Sequence, residues 1–322
     1  MNLNRRDLLQ WTALSALSLN GVAARAEAWP TRPLRIVHGY DAGSNPDNVS
    51  RIIVPALSQR LGQPIIVEAK PGAAGRIATS YVASQPADGY TLMMLTAGDA
   101  VVAALDSKVK YNLLKDFAFV SSVIEFPFLF LVNANSPIKS FADLLFEAKR
   151  QPGRLSYGTP GLGTTHSAAV ELLQKLTGIQ LLHVPYKGTT ALTDLLGGRV
   201  DFLIATPSVS LPLIHSGKVR AIATTAKAAL PALPDVWPVA RLVPNYEVNS
   251  WLGLAVPSGT PKERVQQLSA SVQAVAVLEG VRKALAATGS MVAASSSEAF
   301  RARVESDLKK WASLSDRVKL DS

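Results

Sequence analysis

Short apolar runs alternate with helix-period segments along almost the whole chain, in two blocks, and this alternation constrains the fold more than any other feature. In the first block LRIVHGY (34–40) reads as a strand, and Val49, Ile52, Ile53, Ala56, Leu57 and Leu61 then recur at helical spacing, with Pro55 expected to kink that helix. PIIVEA (64–69), a KPGAAG turn, a helix to Ser84 and YTLMML (90–95) follow. In the second block RLSYG, LLHVPY, VDFLIA and VRAIATT read as strands, separated by the helical segments TTHSAAVELLQKLTG, TTALTDLLGG and SVSLPLIHSG. Such alternation predicts an α/β fold with largely parallel sheets. Two long apolar segments, SSVIEFPFLFLVN (121–133) and YEVNSWLGLAVP (246–257), join the blocks. The chain is therefore expected to cross twice between two lobes, near 126–129 and 250–254. Lobe 1 would hold 29–128 and 251–322, lobe 2 would hold 129–250, and a two-strand hinge would leave a cleft between them. The C-terminal part reads as helices over 261–278, 280–287 and 298–318, the last with Phe300, Val304, Leu308, Trp311 and Val318 as its core stripe.

The first 28 residues have a different character. Arg5 and Arg6 precede a modestly apolar stretch from Trp11 to Ala24, and the small residues Ala26 and Ala28 flank Glu27. A basic start, a short apolar segment and small residues at alternate positions make an export signal, here resembling the twin-arginine type, with cleavage expected before Trp29. An ordinary secretory signal that carries two arginines is the alternative. Thr12, Ser15, Ser18, Asn20 and Gly21 interrupt the stretch, so it is too weakly apolar for a membrane anchor. The expected location is the periplasm. The chain has no cysteine, which excludes a disulfide framework, a lipid-modified cysteine and a thiolate metal site. About 290 residues remain after cleavage, enough to bury a large core without staples. The net charge is +9, but the Lys and Arg residues are scattered, with no run longer than two and no interleaved aromatics. Nucleic-acid binding has little support from that pattern.

One stretch poses the functional question. GTPGLGTTH (158–166) combines three glycines, three threonines and a histidine between a strand and a helix. Phosphate cradling calls for a lysine after the glycines, and none is present. A serine hydrolase calls for GxSxG, which is absent, and the four histidines (His38, His166, His183, His215) are scattered. An exported hydrolase using His166 with Thr164 or Thr165 is the reading from a different class. No HExxH or close His/Asp cluster suggests zinc. Carboxylate capture fits: a helix N-terminus carries unpartnered N–H groups and a partial positive charge, and glycines let ligand oxygens reach the backbone. GYDAGSNPD (39–47), after the first strand, has the same character, so each lobe would present such a turn to one cleft. No catalytic residue, metal or cofactor is implied, and a monomer is the default.

WPTRPLRIV, RLGQPIIVEAKPGAAGRIA, ADGYTLMM, LSYGTPGLGTTHSAAVELL, HVPYKGTTALTDLLGGRVDF, LPLIHSGKVRAIATT, PALPDVWPV and SWLGLAVPSGTP occur in order from Trp29 almost to the C-terminus. Together they resemble the Bug family, the extracytoplasmic solute receptors of tripartite tricarboxylate transporters. The resemblance implies a two-lobed type II periplasmic-binding-protein fold closing on a small organic acid or amino acid, which is delivered to membrane transporter subunits. Reporting the ligand to a sensor kinase is the alternative within the same fold. The implied ligand-binding residues are Gly39, Tyr40, Asp41, Ala42, Gly43, Ser44 and Asp47 in the first turn and Thr159, Gly163, Thr164 and Thr165 in the second. Thr96 and Gly98, in the loop after TLMML, and Thr206, after VDFLI, complete the set. Ser44 stands where the family has a second glycine, Asp41 puts an acid in the loop, and Ala205–Thr206 replace an aspartate followed by a polar residue. An Asp41 that meets the ligand would favour one carrying a hydroxyl or ammonium donor.

Overall fold

Strands and helices do alternate, and they sort into two mixed sheets. The computed structural model describes residues 29–186 and 190–318; the expected export signal lies outside them, as do Lys187, Gly188 and Thr189. Before Arg32 only Trp29–Thr31 are described, with a cis peptide between Trp29 and Pro30. In the first sheet, β1 (Leu34–His38) pairs in parallel with β2 (Ile65–Ala69) and β3 (Thr91–Thr96). The connections are the helices α1 (Asn45–Leu61) and α2 (Arg76–Ala83), and α3 (Ala97–Leu105) follows β3 directly. After the short α4 (Leu113–Asp116), β4 (Phe117–Pro127) lies at the far side of this sheet.

The second sheet begins one residue later with β5 (Leu129–Asn133). It continues through α5 (Phe141–Arg150), β6 (Ser156–Thr159), α6 (Thr165–Thr177), β7 (Leu182–Pro185), α7 (Thr190–Leu196), β8 (Phe202–Ala205), α8 (Pro207–His215) and β9 (Val219–Thr224). The chain then returns to the first sheet as β10 (Asn249–Pro257), followed by α9 (Lys262–Ala276), α10 (Glu279–Ala287), β11 (Met291–Val292) and α11 (Ser297–Ala312). Strand order is β11-β4-β10-β3-β1-β2 in one sheet and β7-β6-β8-β5-β9 in the other.

The sheets are less parallel than the alternation predicts. β10 runs antiparallel to both β3 and β4, and β5 runs antiparallel to both β8 and β9. The long strands that carry the chain into and out of each sheet lack the helical crossover that enforces parallel pairing. β3 and nearly all of β4 and β10 are buried, as expected for strands covered on both faces. α1 runs through Pro55, which is exposed on the solvent side; Val49, Ile53 and Leu57 are buried.

The first change of sheet falls at Phe128, inside the expected window. The second falls between Thr224 and Asn249, upstream of the expected 250–254, because Ser250 to Leu254 are already paired with β4. Buried Thr225 laces the two crossings together. Its hydroxyl accepts from the Phe128 N–H (2.8 Å) and donates to the Val248 carbonyl (2.6 Å), while its own N–H donates to the Phe128 carbonyl (2.9 Å). On α11, Phe300, Val304 and Trp311 are buried as expected, but Leu308 is only half-buried and Asp307 takes the interior place. The cause is the indole N–H of Trp251, which donates to Asp307 at 2.6 Å. The helix ends at Ala312, short of the expected 318, and Val318 reaches the core from the turns that follow.

Candidate functional site

Parallel strands of both sheets end in turns that open helices, the position where open α/β sheets bind ligands. In the first turn β1 runs into α1. Gly39 lies against the next connection: a Cβ there would sit 2.5 Å from the Gly75 Cα, so no larger residue fits. Asp41, Ala42 and Gly43 are exposed. Ser44 is the N-cap of α1 but makes no capping bond, and its buried hydroxyl oxygen has no partner among the described residues.

Asp47 serves the turn internally. Its carboxylate accepts from the Gly43 N–H (2.9 Å), from Arg51 Nε (3.0 Å) and from His38 Nε2 (3.2 Å). Burial pushes the Asp47 carboxyl up, but hydrogen bonds from Arg51, Gly43 and His38 outweigh it and hold the group below its ordinary value. Burial likewise lowers the His38 imidazole against the pull of Asp47. The role of Asp47 visible here is to brace the turn. Asp41, in contrast, accepts from the Ser44 N–H (3.1 Å) through its backbone carbonyl, and the residue is exposed.

The segment after TLMML is a helix start and not the loop expected from the sequence. Thr96 caps α3 in a reciprocal capping box: its hydroxyl accepts from the Asp99 N–H and also from the Gly98 N–H (3.1 Å), while the Asp99 carboxylate accepts from the Thr96 N–H (2.7 Å). Asp99 is fully buried, with no cation bonded to it among the described residues; it also accepts from Thr79 Oγ1 (2.6 Å) and Thr96 Oγ1 (2.9 Å). Burial raises its carboxyl despite those bonds.

In the second turn Thr159 faces inward, its hydroxyl 2.6 Å from His183 Nε2 and accepting from the Gly161 N–H (3.1 Å). Gly163 sits at φ +80°, a left-handed conformation that suits glycine. Thr164 caps α6, accepting from the Ser167 N–H (3.3 Å) and donating to the Gly161 carbonyl (2.8 Å). The N–H groups of Thr165 and His166 belong to the first turn of α6, where the helix itself supplies no acceptor. Thr206 occupies the N-cap position of α8 without a side-chain capping bond, its hydroxyl paired with Ser208 (2.9 Å), and its neighbour Pro207 lies against Gly289.

Gly98 shows which turns meet. The three atoms nearest to a Cβ placed there would be Tyr40 Oη at 2.8 Å, Thr96 Oγ1 at 3.2 Å and Thr165 Oγ1 at 3.8 Å. One bare backbone position thus gathers the first turn, the start of α3 and the start of α6, the last coming from the other sheet. Asp47, Thr159 and Thr164 are committed to internal hydrogen bonds, and the Thr206 hydroxyl is bonded to Ser208. Sequence reasoning missed His38, Thr79 and Gly75, which support the first turn and α3. The PGAAG glycines were legible as a turn, but their contact with Gly39 and Asp99 is purely tertiary.

His166 packs its ring on Phe128, centroids 4.3 Å apart, and shares no hydrogen bond with Thr164 or Thr165 among the described residues. Burial lowers its pKa to about 4 from 6.5. The unfolded chain therefore binds a proton that the folded chain refuses between about pH 6.5 and pH 4. Stability is full above that window and falls as the pH drops through it. Urea midpoints at pH 7 and pH 5 should show this loss, and His166→Phe should reduce it; an unchanged pH slope in the variant would assign the loss elsewhere. Among the described residues, no group of three or more His, Asp or Glu side chains is placed to hold a metal ion, and no helix is long and apolar enough to cross a membrane.

A family model described as the tripartite tricarboxylate transporter family receptor matches residues 49–320. A curated relative, the UPF0065 protein in the tcbD-tcbE intergenic region of Pseudomonas sp. (strain P51), is 32% identical over 100% of this chain and 96% of its own length. Protein BugT of Bordetella pertussis is 30% identical over 91% of each chain. Among solved structures, an R. palustris protein with adipate superposes with a TM-score of 0.83 at 33% identity, covering 89% of this chain and 97% of that one. MatC from Rhodopseudomonas palustris with bound malate gives 0.81 at 30% identity, over 89% and 100%. With two sheets meeting at helix-opening turns and a family match over most of its length, the chain belongs to the Bug-type receptors of the tripartite tricarboxylate transporter family.

Proposed function

We propose that this protein is exported by its first 28 residues to the periplasm, where it closes on a small organic carboxylate and delivers it to the membrane subunits of a tripartite tricarboxylate-type transporter. The observation that carries this reading is the meeting of Tyr40, Thr96 and Thr165 around Gly98, beside helix starts whose N–H groups favour an anion. Relatives solved with adipate and with malate support the ligand class. The site would draw on Tyr40, Ser44, Thr96, Gly98, Gly163 and Thr165, with Asp47 and Thr164 holding the turns in shape. Two lobes, each built on one sheet, would move about Phe128 and the Thr225–Val248 connection, whose hydrogen bonds let the crossings bend together.

A ligand that binds the folded protein stabilises it by mass action, about 2.7 kcal/mol at a hundredfold excess over its dissociation constant. A thermal-shift screen of C4 to C6 di- and tricarboxylates, amino acids and aromatic acids on the mature protein is expected to give at least one clear rise. No shift with any acid, and no compaction by small-angle scattering, would remove the receptor reading.

A further inference from the structure

We propose that Gly289 and Pro207 form a third bearing of the hinge, a contact that aligns the two binding turns without meeting the ligand. This rests on the receptor reading above and adds to it how the two halves are held in register. Gly289 lies on the turn between α10 and β11, in the first half, and Pro207 opens α8, in the second. A Cβ on Gly289 would stand 2.4 Å from the Pro207 Cβ and 3.4 Å from the Pro207 Cγ and Leu211 Cδ1. Carbon atoms rest about 3.5–4.0 Å apart, so the halves touch here through a position that a methyl group would overfill.

Strand register places this contact beside the first crossing. Met291 pairs with Glu125 on β4, and Ala205 pairs with Leu129 on β5. Both pairings are antiparallel, and two further residues along each bring Gly289 and Pro207 to the level of Pro127. β11 lies on the opposite side of β4 from β10, and β8 on the opposite side of β5 from β9. The contact therefore sits on one flank of the first crossing, and the second crossing, from β9 to β10, lies on the other. Two crossings laced by Thr225, with a third contact in the same row, confine the halves to rocking about that row.

Both sides of the contact are braced. Pro207 is buried, and the Thr206 carbonyl before it accepts from the Val209 N–H (3.2 Å), the Ser210 N–H (3.1 Å) and the Ser210 hydroxyl (2.7 Å). The Gly289 N–H donates to the Ala286 carbonyl (2.8 Å), and the Thr288 hydroxyl donates to the Leu285 carbonyl (2.6 Å) and meets Ser290 Oγ (2.9 Å). The obstacle is a proline ring at a helix start and not the end of a flexible side chain. A methyl group at 289 would thus be accommodated by moving one half against the other by about 1 Å. The turns assigned to the carboxylate, with Tyr40 and Ser44 in one and Gly163 and Thr165 in the other, lie one on each half. Such a shift pulls them out of register.

The test uses a matched pair of glycines. Gly178, the C-cap of α6, has φ +73° and nothing within 4 Å of a new Cβ, while Gly289 has φ +72° and Pro207 in the way. Gly178→Ala and Gly289→Ala carry the same backbone strain, and only the second fills the contact. The chain has no cysteine, so spin labels at Ala42→Cys and Leu162→Cys, both exposed and one on each binding turn, report the distance between the halves by double electron–electron resonance. Gly289→Ala is expected to change the mean distance, and Gly178→Ala to leave it at the wild-type value. Adding Pro207→Gly to Gly289→Ala removes the obstructing Cβ and should restore it. Pro207→Gly alone leaves a gap in place of the contact and should broaden the distance distribution, which tests the bearing even if Gly289→Ala fails to fold. In unlabelled protein, titration calorimetry with malate, adipate and the acid giving the largest thermal shift should show affinity reduced roughly tenfold or more by Gly289→Ala and not by Gly178→Ala, within the range of overpacking effects. A distance in Gly289→Ala equal to that in Gly178→Ala would overturn the bearing and leave the receptor reading intact. Unchanged affinity despite a changed distance would overturn its role in aligning the turns. Distances as expected in a protein that binds no acid of the screen would overturn the receptor reading and leave the bearing.

Discussion

Replacing Trp251 by alanine is expected to lower the unfolding free energy by about 3–5 kcal/mol, the range for removing a fully buried large aromatic. Trp251 is 1% exposed near the start of β10, the strand that brings the chain back to the first sheet. Its ring meets Phe300 edge-on, with centroids 5.1 Å apart, and its register partner on β4 is Glu125. The alanine variant would leave a cavity beneath α11. It would also strip Asp307 of its 2.6 Å indole donor, leaving that buried carboxylate with the longer 3.6 Å contact to Arg303 Nε and the nearby charge of Lys310. Leaving a buried acceptor short of a donor costs about 1–3 kcal/mol in its own right, so Trp251→Phe, which refills most of the volume, should still lose that much. Urea unfolding followed by far-ultraviolet circular dichroism measures both. A loss below about 1 kcal/mol in the alanine variant would mean that α11 collapses into the gap at little cost.

Gly98→Val should act on binding in the way Trp251→Ala acts on stability. Gly98 occupies the first turn of α3 with ordinary helical geometry, so valine meets no backbone strain. The atoms it would strike are the ends of side chains, with Tyr40 Oη at 2.8 Å and Thr96 Oγ1 at 3.2 Å, and these can turn aside. The protein should fold, with Tyr40 displaced and the meeting point of the three turns filled. We expect ligand affinity to fall at least thirtyfold, about 2 kcal/mol, within the range that overpacking imposes. Gly39→Val is the contrast, because there the obstacle is the Gly75 backbone at 2.5 Å and the fold itself should suffer. Gly280→Ala, where nothing lies within 4 Å of the new Cβ, serves as the neutral control. Calorimetric titration with whichever acid the thermal screen selects decides the case. Wild-type affinity in Gly98→Val would place the ligand away from these turns.

Most of the architecture was legible because periodicity is a local property. Strands such as LRIVH and TLMMLT, and the Val49–Ile53–Leu57 helix face, announce themselves through which residues need burial. The motif GTPGLGTTH was legible as a helix start for the same reason: glycine at a positive φ and threonine at an N-cap are demands of the local backbone. The Asp307 exchange on α11 was not legible. A helical stripe predicts Leu308, and only a tryptophan arriving from 56 residues away makes an acid the better interior residue.

The chain's own sequence thus determined the alternation of elements, the first of the two points where the chain passes between blocks, and the family it resembles from Trp29 almost to the C-terminus. Tertiary structure alone decided that the crossing strands pair antiparallel, because pairing direction depends on which strand a segment meets and not on what it contains. It also decided which polar residues of the turns are spent on holding the turn and which remain to meet a ligand. Asp47 and Asp41 look equally available in GYDAGSNPD, yet one is buried among Gly43, His38 and Arg51 and the other stands in water. Tyr40, which the resemblance implied as a ligand residue, is brought beside Thr96 and Gly98, from another strand's end, only by the fold. Hydrogen-bond direction is set by the whole set of neighbours that share a proton, and those neighbours are assembled only when the chain has folded.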